Sequence, residues 1–198
     1  MKKQIRTILL CTFCGLSLQA MSVPGSDTTA PAASGPENSI YTPDGRMKFP
    51  ASYREWIYLS SGLDMSYRDR GMDHSMFDNV FVNPPAYQEF LKTGTWPEGT
   101  LLAMEVRGAT EKGSINKSGK FQSGEPMGME VHVKDTRRFA GGWAFFAFTG
   151  NQPAAQIPTA AECYSCHRDH GAVDTTFVQF YPTLLSIARK HGTVKPGT

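Results

Sequence analysis

"GMEVHVKDTRRFAGGWAFFAF", residues 128–148, carries two strand signals separated by a short turn. In 128–135, Met129, Val131 and Val133 alternate with Glu130, His132 and Lys134, the period-two pattern of a strand with two unlike faces. The run "WAFFAF" (143–148) is a second strand of aromatic and small apolar residues. So short a connection makes the two antiparallel neighbours. The pattern continues toward the N-terminus. "GTLLAMEVRGA" (99–109) is a strand before the turn "GSINKSGK" (113–120), "FDNVFV" (77–82) another stopped by "NPP", and "REWIYLSSGL" (54–63) the first. "AYQEFLKTG" (86–94) reads as a short helix ending at Gly94. After Pro153 the character changes: "TAAECYSCHRDH" (159–170) and "TTFVQFYPTLLSIARK" (175–190) read as helical, with Pro182 at a helix start or a kink. The expected class is α+β, a five-stranded antiparallel β-sheet domain with helices gathered toward the C-terminus.

The folded domain is expected from about residue 47 onward. Before it, Lys2, Lys3 and Arg6 precede the short apolar stretch "TILLCTFCGLSL" and a small residue at Ala20, the pattern of an export signal covering 1–20. Residues 21–46 are rich in Pro, Ala, Ser and Gly and read as a disordered linker. Cys11 and Cys14 fall within the signal. Its removal takes three of 20 basic residues and no acidic one, leaving 17 against 18 acidic, a net charge of −1. No basic patch argues for a nucleic-acid partner.

Two cysteines then remain, in "AECYSCHRDHG" (161–171). A zinc site ordinarily takes four ligands, and no second cysteine pair exists outside the signal. A redox C-x-x-C belongs at a βα junction of a parallel fold, not at the end of an antiparallel one. The third choice uses the next residue, His167. C-x-x-C-H is the attachment signature of c-type haem, with Cys163 and Cys166 as thioethers and His167 as the iron's proximal ligand. Export to the periplasm suits covalent haem attachment. One motif implies one covalent haem c per chain, carried by a C-terminal helical segment.

That motif followed by "TTFVQFYPTLL", together with "YREW" (53–56), "GMEVHVKDTRRFAGGWAFFAF" and "IPTAAECYSCH" (157–167), resembles the cytochrome P-460 family over most of residues 47–190. The family includes hydroxylamine-oxidising cytochromes and the β-sheet cytochromes c-prime, which bind nitric oxide and other small gases. The resemblance implies a homodimer. It also places Met104 where the hydroxylamine-oxidising members carry a haem-linked lysine, and Glu130 where they carry a glutamate in the distal pocket. Read from the residues alone, Met104 is a core methionine on the face shared by Leu102 and Val106, and Glu130 is equally well a solvent-facing carboxylate. The family's pocket arginine has no counterpart in 77–82, where Asp78 and Asn79 stand. Phe77, Phe81, Phe145, Phe146 and Phe148 are candidates for an aromatic pocket lining. His74, His170 and His191 read as surface residues.

The resemblance implies an exported mono-haem c-type cytochrome that binds nitric oxide or a similar small gas at an apolar distal site. Two alternatives stay open. One is a haem oxidoreductase, acting on hydroxylamine or peroxide with Glu130 moving protons. The other is an electron-transfer cytochrome with His167 and Met104 on iron and a redox partner protein.

Overall fold

The computed structural model describes residues 39–67 and 74–198. The expected signal and most of the expected linker lie outside the described residues. The fold begins earlier than residue 47: Tyr41 bridges Met47, which also pairs with Ala154. The last residues assigned to the linker are therefore paired into the domain.

Five strands, β1 (Ile57–Leu63), β2 (Met76–Val82), β3 (Leu101–Thr110), β4 (Phe121–Lys134) and β5 (Trp143–Phe148), form one antiparallel sheet in chain order. The expected α+β meander is what the chain adopts. β4 starts at Phe121 rather than at residue 128. Its first seven residues, "FQSGEPM", are partly or wholly exposed, so no apolar alternation marks them. They pair with the end of β3 through a stretch where the register shifts around Arg107 and accommodates Pro126. At the other end, Tyr53–Glu55 is a single 3-10 turn and β1 starts only at Ile57.

Register assigns every side chain to a face. Val80, Met104, Glu130 and Ala147 lie side by side across β2 to β5, as do Val82, Leu102, His132 and Phe145. The opposite face carries Asn79, Glu105 and Met129, then Phe81, Ala103, Val131 and Phe146. This second face is sealed by Met47, Phe49, Tyr53, Trp56, Phe139 and Ala154. The first face is covered at one end by two helices, α1 (Pro84–Thr93) and α3 (Pro182–His191), whose Phe90, Leu184 and Ala188 pack on Leu59, Val82 and Leu102.

Both helices open on proline and close on a left-handed glycine, Gly94 with φ 71° and Gly192 with φ 68°. Pro182 sits at a helix start, as one of its two expected placements required. The expected helical stretch 175–190 is shorter than the pattern implied, because residues 178–180 form a separate 3-10 turn before that proline. Ahead of it lies α2 (Glu162–His170), which carries the cysteine pair.

Candidate haem site

Cys163, Cys166 and His167 occupy positions i, i+3 and i+4 of α2, one face of a helix. Tyr164 fastens that helix to the sheet: its hydroxyl accepts from Phe145 N–H at 3.2 Å and donates to the Ile157 carbonyl at 3.0 Å. Between the helix, the segment 176–181 and the first face of the sheet lies a cavity of about 560 Å³. That is within the range of small-molecule and cofactor sites, roughly 300–1,000 Å³. Val80, Leu102, Met104, Glu130, His132 and Phe145 of the sheet line it, facing His167, Phe177 and Tyr181. A second, open hollow in the β3–β4 loop, residues 111–120, shares no lining residue with it.

The His167 imidazole is caged by rings. Phe177, Phe145 and His132 lie with centroids 4.3, 4.6 and 5.2 Å away. Its Nδ1 meets the Thr175 carbonyl at 2.8 Å, which fixes the proton on Nδ1. Burial holds its pKa below the usual histidine value, against the opposing effect of that hydrogen bond, so the ring is neutral at pH 7. Nε2 is left with a lone pair and, among the described residues, no protein partner. A neutral imidazole whose far nitrogen is tied to a carbonyl is the usual state of a metal-ligating histidine. The two cysteine thiols are not joined to each other. Among the described residues no group of three or more His, Cys, Asp and Glu side chains is placed to hold a metal ion. The donor set fits a haem: one free imidazole nitrogen, two thiols on the same helical face and a cavity walled by aliphatic and aromatic groups.

Met104 lines the cavity from β3, between Val80 and Glu130. Glu130 lines it as well; its side chain is open to the cavity, yet the surrounding walls strip enough water to raise its pKa, helped by the charge of Asp78. Asp78 also lines the cavity, and burial raises its pKa. No cation or hydrogen-bond donor among the described residues meets either carboxyl. The cavity wall thus carries two carboxyls beside its apolar residues.

Phe77 does not line the cavity. It pairs with Arg107, on the parity of Asn79 and Phe81, so the strand alternation that turns Met76 and Asp78 inward turns it away. Phe81, Phe146 and Phe148 pack on the second face too, and Phe145 alone of the five candidates reaches the cavity. Its other aromatic walls are Tyr67, Phe177, Phe180 and Tyr181. The apolar pattern of residues 175–190 reads as a helix and so gives Phe177, Phe180 and Tyr181 no pocket role. His74, His170 and His191 are exposed, as expected. His132 is not: it is 7% exposed and stacks on Phe145 at 4.0 Å between centroids.

No curated protein matches the chain. The family model of Cytochrome P460 matches residues 50–178, which contain all five strands and the cavity's helix. Sheet, cavity and caged imidazole therefore have a common origin: the chain belongs to the cytochrome P460 family, a family of haem-binding cytochromes.

Proposed function

We propose that this protein is an exported, mono-haem c-type cytochrome that takes up nitric oxide or a similar small gas in the cavity lined by His167. The observation that carries this reading is the helical face of α2. It carries Cys163, Cys166 and His167 at positions i, i+3 and i+4, and His167, whose Nε2 has no partner among the described residues, lines the cavity. When bound, the haem supplies an iron that accepts a small ligand and changes oxidation state. The chain's residues do the rest. Cys163 and Cys166 would anchor the ring as thioethers, His167 would supply an imidazole nitrogen to the iron, and Val80, Leu102, Met104 and Phe145 would exclude water. Asp78 and Glu130 stay protonated to higher pH than ordinary carboxyls, and a protonated carboxyl donates a hydrogen bond.

Haem-stained denaturing gels and intact mass test the attachment. One haem per chain is expected, and a bare polypeptide mass after expression with a working maturation system would reject it. Cys163→Ala and Cys166→Ala each lose one thioether. Titration of the ferrous protein with nitric oxide, followed by absorption, tests the ligand.

The two carboxyls favour a second reading, a haem oxidoreductase acting on hydroxylamine or peroxide in which Glu130 moves protons. Glu130→Gln then lowers turnover at least about a hundredfold, the low end of what a positioned acid–base group contributes, and leaves nitric oxide affinity nearly unchanged. Equal turnover in mutant and wild type returns the protein to gas binding alone. A homodimer and a redox partner protein are part of the proposal, the first tested by sedimentation. Periplasmic location rests on the signal-like N-terminus. Among the described residues no helix is long and apolar enough to cross a membrane.

A further inference from the structure

We propose that His132 is a positioning residue for the axial imidazole, acting through Thr175. The inference rests on the reading of His167 as the iron ligand.

Thr175 bonds in two directions. Its backbone carbonyl meets His167 Nδ1 at 2.8 Å, and its side-chain Oγ1 lies 3.2 Å from His132 Nε2. The hydroxyl both donates and accepts, so this bond forms with either tautomer of His132. His132 is a rigid anchor. It projects from the interior of the sheet and is held between Phe145, nearly parallel at 12°, and Trp143, 4.4 Å away. Its ring also meets His167 edge-on, at 80°. The loop that carries Thr175 is tied on both sides of it. Lys134, two residues after His132 on the same face, donates to Asp174 at 2.9 Å, and Trp96 Nε1 donates to Thr176 Oγ1 at 2.8 Å. Those ties hold the neighbouring side chains. Backbone hydrogen bonds between Val173 and Thr176 close the turn around residue 175. Among the described residues, the His132 bond is the one made to the side chain of Thr175, whose carbonyl touches His167.

The consequence is electronic. The hydrogen bond from Nδ1–H to a carbonyl raises the basicity of the imidazole toward a metal. A firmly held carbonyl keeps that bond short and favours the ferric state. A loosened one weakens the axial nitrogen as a donor and favours the ferrous state. A residue that merely filled space would leave the reduction potential alone.

The test uses the haem-loaded protein and two readouts, the midpoint potential and the iron–histidine stretching frequency of the ferrous form. His132→Phe keeps the stack and removes the nitrogen; Thr175→Val removes the hydroxyl and keeps the shape. Each is expected to raise the potential by a several-fold to tenfold shift in the ferric/ferrous ratio, the upper end being about 59 mV for one electron, and to lower the stretch. Thr175→Ser is expected to restore both values. The double variant is expected to shift no further than either single one, because both cut the same tie. If His132→Phe does not fold, the Thr175→Val and Thr175→Ser pair decides alone. Unmoved potential and stretch in Thr175→Val overturn the proposal. A stretch that survives in His167→Ala shows that His167 is not the ligand, a different failure that removes the underlying reading as well.

Discussion

The two faces of this sheet bury carboxylates in opposite ways. On the sealed face, Glu105 is 3% exposed and fully partnered: Arg107 Nε donates at 2.5 Å, Arg54 Nη2 at 2.7 Å, and the Tyr53 hydroxyl also donates. Burial alone would raise its pKa, but the Arg107 and Tyr53 hydrogen bonds and the two arginine charges outweigh that and hold it below the usual glutamate value. On the cavity face, Asp78 and Glu130 have no such partners among the described residues, and their pKa values rise. Neighbouring strands, β3 and β4, supply both kinds. An ion placed for stability comes with its counter-ions built in. In the proposed function, a carboxyl left without them would serve a ligand or a proton.

The largest effect is expected where partnering is complete. Glu105→Ala leaves Arg107, only 14% exposed, without its counter-charge. The expected loss is about 3 kcal/mol in denaturant unfolding, with the haem absorption spectrum unchanged because the site lies across the sheet. Arg54 is 55% exposed, so Arg54→Ala costs far less. A Glu105→Ala loss no larger than that of Arg54→Ala would erase the contrast between the faces.

Next is the approach of the Thr175 loop to α2. A methyl group on Gly171 would sit 2.6 Å from the His167 carbonyl oxygen and 2.7 Å from the Thr176 nitrogen, both backbone atoms. The local conformation, φ −69°, suits alanine, so the cost is steric alone. Gly171→Ala is expected to destabilise by about 2 kcal/mol, within the range for overpacking, and also to disturb the axial-histidine spectrum, unlike Glu105→Ala. A change in stability with no spectral change would separate the loop from the haem.

Acid titration gives a smaller and oppositely signed pair. Glu105 has a lowered folded pKa, so its contribution is present above the unfolded glutamate value of 4.5 and is lost as pH falls through the folded pKa. Asp78 and Glu130 have raised folded pKa values. The unfolded chain releases those protons first, so stability falls as pH rises from the ordinary values, 3.8 and 4.5, through the folded ones. Asp78→Asn and Glu130→Gln are therefore expected to flatten the decline on the mildly acidic side by a fraction of a kcal/mol. A steeper decline in either variant contradicts the unpartnered reading.

Much of this was legible in the sequence where side chains alternate. "GMEVHVKD" and "WAFFAF" specified two neighbouring strands, and the C-x-x-C-H motif lies on a helix whose His167 lines the cavity. Two kinds of information were not. Phe77 and Asp78 are adjacent, so one must face each way, and only register with β3 decides which. The walls formed by Phe177 and Tyr181, and the tie from His132 to Thr175, depend on how a non-helical segment folds back over the sheet. Apolar spacing in "TTFVQFYPTLL" says nothing of that.

A small effect on stability is also expected at Met104, and its spectrum separates gas binding from electron transfer. Met104 stands on the cavity face between Val80 and Glu130, where a methionine fills space as readily as it binds a metal. Met104→Leu is a nearly volume-conserving exchange and is expected to cost no more than about 1 kcal/mol. If the sulfur only packs, the ferric spectrum and the nitric oxide affinity stay within about threefold of wild type, a margin of less than 1 kcal/mol. If the sulfur binds iron, the wild type shows a low-spin ferric spectrum with a far-red thioether band, and Met104→Leu abolishes it. Gas affinity then rises in the variant because a coordination position has opened. The packing outcome is the expected one. The carboxyls of Asp78 and Glu130 on the same face would serve a bound ligand better than a haem whose two axial positions are already filled.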